Sequence, residues 1–94
     1  MIVQFEQPGT KGAFFIEEDG KRLAEMTFSL AGNRVLIIDH TEVSDALRGK
    51  GTGKQLVEAA VQYAREKKIK ILPLCPFAKA VFEKSKSYHD VLDS

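Results

Sequence analysis

The hydrophobic pattern of this 94-residue chain changes its period once, at a short glycine-rich segment. Before that segment the apolar residues alternate with polar ones or form short β-branched runs, a pattern typical of strands. From residue 51 to about residue 68 they recur at the spacing of one helix face. This apolar face comprises Leu56, Val57, Ala60, Val61 and Ala64. The pattern therefore predicts a sheet of several strands with helices packed against it.

Seven elements follow in the order ββββ-α-β-α. The strands are predicted at residues 2–5, 13–17, 23–30, 35–43 and 69–74, and the helices at residues 51–68 and 77–86. Short turns favour antiparallel pairing of the first four strands, whereas the long helix returns the fifth strand parallel to the fourth. The predicted fold class is α/β (α+β), a mixed sheet that is mostly antiparallel with one parallel crossover.

The same pattern makes three more specific predictions about packing. The fourth strand opens with a continuous apolar run, so we expect both of its faces to be covered. Ile37, Ile71 and Val81 are expected to pack against the long helix. Residues 87–94 are expected to form a polar tail in which His89 is solvated.

Composition narrows the functional classes. Fourteen Lys and Arg against thirteen Asp and Glu leave a formal charge of +1. The chain therefore has no strong overall electrostatic field that would attract a nucleic acid or a membrane surface. The single cysteine excludes an intrachain disulfide and suits a reducing compartment. No apolar run approaches the ~20 residues of a membrane span, and the first residues do not resemble a signal peptide. We expect one cytoplasmic domain over residues 1–94.

The glycine-rich segment between the fourth strand and the long helix is the most informative motif. It reads Arg48-Gly49-Lys50-Gly51-Thr52-Gly53-Lys54. Glycines leave backbone amides uncovered, and the first N–H groups of a helix lack internal partners, so this segment predicts a phosphate site. A nucleotide-binding P-loop fits poorly, because the spacing is one residue short and Gln55 replaces the magnesium-binding hydroxyl.

Arg48, Gly51 and Gly53 match the (Q/R)-x-x-G-x-(G/A) signature, and the chain thus resembles the GNAT superfamily of acetyl-CoA-dependent N-acetyltransferases. Residues 35–83 are similar to its very small, single-cysteine members. The resemblance implies that acetyl-CoA binds at this turn and that the backbone N–H at the end of the fourth strand meets the acetyl carbonyl. The implied cofactor-binding residues are Val43, Arg48, Gly49, Lys50, Gly51, Thr52, Gly53 and Lys54.

The chain departs from that family in two places. About eight residues, 6–13, separate the first two strands, so the two acceptor-binding helices common in the family cannot fit. The acceptor side is therefore expected to be open or completed by a partner, which suits a peptide or protein amine. Phe82 stands where many members carry the tyrosine that protonates the departing thiolate, and a phenyl ring has no such proton.

Cys75 and His40 are the candidate catalytic residues. Cys75 lies between the fifth strand and the last helix, a position that favours the thiolate. His40 lies near the C-terminal end of the adjacent fourth strand, and strand alternation predicts that it shares one face with Leu36, Ile38 and Glu42. It is predicted to act as base to Cys75 as nucleophile. The alternatives are a cysteine that only fills the core, and Glu42 or Asp39 guiding a proton through water. No spacing of His, Cys, Asp and Glu indicates a metal site.

Two functions remain open for this chain. One is an enzyme that transfers acetyl from acetyl-CoA to an amine, and the other is a CoA-binding module without turnover. Nucleic-acid binding through the glycine turn and the basic cluster of Lys67, Lys68 and Lys70 is weaker, because aromatic residues are not interleaved with the cations.

Overall fold

A computed structural model describes residues 2–93. The strands are β1 (Gln4–Glu6), β2 (Lys11–Glu18), β3 (Lys21–Ala31), β4 (Val35–Val43) and β5 (Lys70–Pro73). The helices are α1 (Thr52–Lys67) and α2 (Pro76–Lys84), with 3₁₀ turns at Asp45–Leu47 and Lys86–Val91. Within the described residues, no helix has the length and apolar character that crossing a membrane requires.

The five strands form one sheet in the order β1-β2-β3-β4-β5. The first four are antiparallel neighbours, and β5 pairs parallel to β4 after the α1 crossover. Only residues 7–10 connect β1 to β2, which leaves no room for helices there. The predicted fold class and element order are therefore confirmed.

Both helices pack on the same face of the sheet. The predicted apolar face of α1 is confirmed, because all five of its residues have no exposed surface and join one core cluster with Phe14, Met26 and Ile38. Ile71 and Val81 pack into this cluster as predicted. The prediction that both faces of β4 are covered is wrong, because Ile37 is only half-buried. Ile37 faces away from the helices and so, contrary to the prediction, does not pack against α1.

The uncovered face is polar and carries a small apolar floor. Ala13 and Phe15 alternate with the core residues of β2 and are nevertheless buried. The Arg22 guanidinium lies 3.8 Å above the Phe15 ring. Its nitrogens also bind the carboxylates of Glu6 and Glu25 at 2.8–3.1 Å, so charged side chains shield this floor from water.

A β-bulge in β4 changes which side chains face the helices. Phe28 on β3 pairs with Ile38, but its neighbour Thr27 pairs with His40, so Asp39 is an extra residue. Beyond this bulge the alternation of β4 is inverted. Thr41 and Val43 now lie on the helix face, and His40 on the uncovered face.

The C-terminal residues are more ordered than their polar composition predicts. Val91 is buried in the core, and the Asp93 N–H donates to the Ile71 carbonyl at the outer edge of β5. Arg65 on α1 binds both carboxylate oxygens of Asp90 at 2.9 Å. His89 is not merely solvated, because its Nε2 lies 2.7 Å from the Phe82 carbonyl oxygen. The prediction of a polar tail is therefore wrong for residues 87–93, and Ser94 lies outside the described residues.

Phe28 and Phe5 offer a matched test of this core. Both rings belong to one aromatic cluster with Phe14 and Tyr63, but Phe28 is 1% exposed and Phe5 44%. Phe28→Ala should lower the free energy of unfolding by about 3–5 kcal/mol, since it empties a buried volume. Phe5→Ala should lower the free energy of unfolding by clearly less, as measured in the same urea titration. Equal losses would contradict the assignment of Phe28 to the core centre.

Candidate functional site

The turn before α1 owes its shape to two glycines. Gly49 and Gly51 have φ values of +82° and +70°, in the left-handed region that side chains disfavour. A Cβ at either position would meet no atom within 4 Å, so packing does not require glycine there. The backbone conformation does, and it keeps side chains away from the amides of the turn, of which the Lys50 N–H donates to the Leu47 carbonyl at 3.3 Å.

The N-terminus of α1 has no side-chain cap. Gly51 is its N-cap and supplies no side-chain acceptor to the first turn. That turn lies wholly within the described residues and contains no acidic side chain. The first N–H groups therefore remain available at the positive end of the helix dipole. Lys54 adds a cation, whereas Arg48 is held by Asp45 at 2.7 Å.

A cavity of about 360 Å³ opens onto this turn. Its lining includes every predicted cofactor-binding residue except Lys50. Three apolar residues that sequence reasoning missed complete the wall, namely Leu47, Phe77 and Val81. Phe77 follows Pro76 at the start of α2, and its 43% exposure is the signal that distinguishes it from a core residue.

Strands β4 and β5 separate beside this cavity. Their pairing ends at Ile38 and Pro73, where the N–H groups of Leu74 and Cys75 both donate to the Ile38 carbonyl. β4 continues to Val43 without β5 at its side. The sheet is therefore open between the two strands.

The backbone N–H of Val43 points into this opening. The Ser44 N–H donates to the Leu23 carbonyl at 2.7 Å, which makes Ala24 and Val43 a non-hydrogen-bonded pair of the antiparallel ladder. Residues of such a pair direct their N–H and C=O groups away from each other. The Val43 donor thus faces the side from which β5 has departed.

Cys75 is buried next to the opening. It is 5% exposed and caps α2, where its sulfur accepts from the Ala78 N–H at 3.3 Å. The sulfur also lies 3.2 Å from the hydroxyl oxygen of Thr41. Cys75 does not line the cavity itself, so Thr41 and the first turn of α2 are its immediate surroundings.

The predicted contact between His40 and Cys75 is wrong. The bulge at Asp39 turns His40 onto the uncovered face, where its Nε2 lies 2.9 Å from the Glu42 carboxylate. The His40 side chain is 64% exposed. Asp39, the other carboxylate considered, accepts a hydrogen bond from Ser29 at 2.7 Å. The structure therefore brings Thr41, and not His40, to the thiol.

A second cavity of about 280 Å³ lies at the same end of β3 and β4. Its charged lining residues are Arg22, Glu25 and Glu42. Arg22 also binds Glu6, and that hydrogen bond lowers the pKa of the Glu6 carboxyl. Val43 lines both cavities.

A phenol does not reach the described site. Phe82 is buried in the core, as its apolar ring requires. Burial, and secondarily a hydrogen bond with Glu58, raise the pKa of the Tyr88 hydroxyl. That contact places Tyr88 against α1, and it does not line the cavity at the glycine turn.

Comparison with known proteins agrees with this geometry. A family model described as GCN5-related N-acetyl-transferase matches residues 13–91. The chain belongs to this family. It is similar to a GCN5-like putative N-acetyltransferase from Staphylococcus aureus, with 42% identity, a TM-score of 0.72, and coverage of 97% of this chain and 88% of that one.

More distant relatives of this GCN5-related chain extend the comparison. Protein NATD1 of Gallus gallus is 31% identical over 78% of this chain and 67% of its own length. The matches to the mammalian NATD1 proteins span about half the length of those relatives. An aminoglycoside N-acetyltransferase AAC(6')-Iy solved in complex with CoA shares the fold, with a TM-score of 0.59, 16% identity, and coverage of 81% of this chain and 66% of that one.

The environment of Cys75 can be tested by its reaction with methyl methanethiosulfonate. Thr41→Val keeps the side-chain shape but removes the hydroxyl beside the sulfur, so the thiolate should be less stabilised and react about threefold to tenfold more slowly. His40→Ala should leave the rate unchanged, because His40 lies on the other face of the sheet. An equal slowing by both substitutions would mean that His40 does reach the thiol.

Proposed function

We propose that this GCN5-related protein transfers an acetyl group from acetyl-CoA to a primary amine. The observation that carries the proposal is the cavity that runs from the uncovered amides before α1 to the opening beside the Val43 N–H. Membership of the family supports acetyl transfer, and the fold relative solved with CoA supports the choice of acyl donor.

The residues at the turn fit the diphosphate of coenzyme A. The amides of residues 49 and 51–54 surround the N-terminus of α1, which attracts phosphate through its dipole, whereas the Lys50 N–H already donates to the Leu47 carbonyl. Gly49 and Gly51 keep side chains out of the approach, and Lys54 lines it with a cation. When bound there, acetyl-CoA supplies an activated thioester, while the chain holds and orients it.

The Val43 N–H would stabilise the reaction. Negative charge builds on the acetyl oxygen as a nucleophile adds to the carbonyl, and a fixed donor lowers the energy of that state. The Val43 amide is held in an antiparallel ladder and needs no rearrangement to serve this purpose.

We further propose that Cys75 carries the acetyl group between donor and acceptor. Its sulfur bonds to the acetyl carbon, the bond from that carbon to the coenzyme A sulfur breaks, and the cysteine proton ends on the released thiol. The amine nitrogen then bonds to the same carbon, the bond to Cys75 breaks, and an amine proton returns to Cys75. Thiol exchange needs no strong acid, which suits a site without a phenol.

The uncovered face is the proposed entry for the amine. The cavity lined by Glu25 and Glu42 reaches Val43 from the side opposite the helices, and its carboxylates attract an ammonium group. In this proposal His40, which pairs with Glu42, takes a proton from that ammonium through water and not from Cys75. With only residues 7–10 between β1 and β2, few walls confine a small acceptor, so a peptide or protein amine fits best.

The alternative is a CoA-binding module without turnover. The buried Phe82 favours it, because the site then lacks the usual proton donor for the leaving thiolate. Release of free CoA in the presence of a mixture of peptide amines separates the two: an enzyme releases it continuously, and a module does not.

Gly51→Val tests the binding site. Valine disfavours the left-handed conformation, so the turn should reorganise and acetyl-CoA should bind at least about tenfold more weakly in calorimetry. Gly20→Val is the matched control, since Gly20 has a φ of +78° and equally open surroundings in the β2–β3 turn. Both variants should lose stability, but only Gly51→Val should lose binding. Unchanged binding by Gly51→Val would contradict the assigned site.

Intact-protein mass spectrometry tests the route through Cys75. Incubation with acetyl-CoA and no amine should add one acetyl group, which hydroxylamine removes and which Cys75→Ala does not acquire. Cys75→Ala should keep acetyl-CoA binding and lose transfer to a peptide amine. Full transfer activity in a Cys75→Ala protein would exclude the covalent route and leave direct attack by the amine.

A further inference from the structure

The side chain of Phe77 occupies an unusual position on α2. It is exposed over 43% of its surface, yet its ring tip lies against Gly53 on α1. A Cβ added at Gly53 would be 2.4 Å from Phe77 Cζ and 2.7 Å from Cε2, so the contact requires glycine. Unlike Gly49 and Gly51, Gly53 has no left-handed backbone that would demand glycine. With the ring in this position Gly53 forms its seat, and a side chain at position 53 would displace the ring.

The seat holds the ring at one boundary of the cavity. Gly53 belongs to the first turn of α1, whose N–H groups are the proposed diphosphate donors. Phe77 therefore stands directly beside those donors, while Val43 and Val81 continue the apolar wall toward the opening between the strands. A ligand that extends from the amides to Val43 within this cavity therefore comes close to the exposed ring.

Phe77 lies beside the first turn of α1, and acyl-CoA has one apolar group close to its diphosphate. The atoms that follow its diphosphate are a methylene and a carbon bearing two methyl groups, and amides come only afterwards. We infer that Phe77 contacts this gem-dimethyl group and thereby selects coenzyme A thioesters over nucleotides that carry the same diphosphate. The inference rests on the proposed binding of acetyl-CoA and assigns Phe77 a role in specificity.

Calorimetry with two ligands tests the inference. The probes are acetyl-CoA and 3′-phosphoadenosine 5′-diphosphate, which keeps the nucleotide and diphosphate but lacks the pantetheine arm. Phe77→Ala should weaken acetyl-CoA binding about fivefold to tenfold, because it removes apolar contact with two methyl groups. Binding of the nucleotide should stay within about twofold of the wild type. Phe77→Leu should recover part of the acetyl-CoA affinity.

Leu74→Ala is the matched control for Phe77→Ala. Leu74 is also a large exposed apolar residue, at 59%, but it does not line this cavity. Its substitution should leave both affinities unchanged. Equal effects of Phe77→Ala and Leu74→Ala on acetyl-CoA binding would overturn the inference. So would a loss of affinity in Phe77→Ala that is equally large for both probes. Failure of the wild type to bind either probe would instead overturn the proposed function.

A double-substitution experiment tests the seat itself. Gly53→Ala in the wild type should displace the Phe77 ring. Binding of acetyl-CoA should then weaken more than binding of the nucleotide. In the Phe77→Ala background the added methyl group meets no ring, so Gly53→Ala should cause little further loss. Additive losses in the double variant would show that Gly53 acts independently of Phe77 and would contradict the coupling.

Discussion

The extra residue at Asp39 determines the arrangement of the whole site. A strand without this bulge would alternate regularly and would present His40 to Cys75, with Thr41 and Val43 on the uncovered face. With the bulge, Val43 comes to the helix side, where it lines the cavity at the glycine turn. β-Bulges commonly re-aim side chains beside functional sites, and here one residue inverts an entire strand end.

The same inversion divides the site between the two faces of the sheet. Thr41 and Cys75 lie on the side of the helices, and the pair of His40 and Glu42 lies on the side without helices. Val43 adjoins both cavities. In the proposed reaction, donor and acceptor therefore approach one backbone amide from different directions, so neither has to leave before the other can enter.

The fold and the glycine turn before α1 were predictable from the sequence because both depend on local patterns. The bounds of β4 and the buried face of α1 match the predicted ones, since periodicity encodes them directly. The positions of His40 and Phe77 were not predictable in this way. The first depends on a bulge that polar residues do not mark, and the second on a contact with Gly53 across two helices. Val91 was missed because its burial depends on Arg65 and Asp90 anchoring the C-terminal residues.

The donors at the turn before α1 are peptide groups, and this has an evolutionary consequence. A substitution cannot delete a backbone N–H unless it introduces proline, so most changes in the loop leave the donors in place. Selection then acts on conformation, at the two positions with positive φ, more than on the chemical identity of the neighbouring residues. The loop can therefore diverge in sequence while it presents the same backbone N–H groups, and residue identity would understate how much of such a site two chains share.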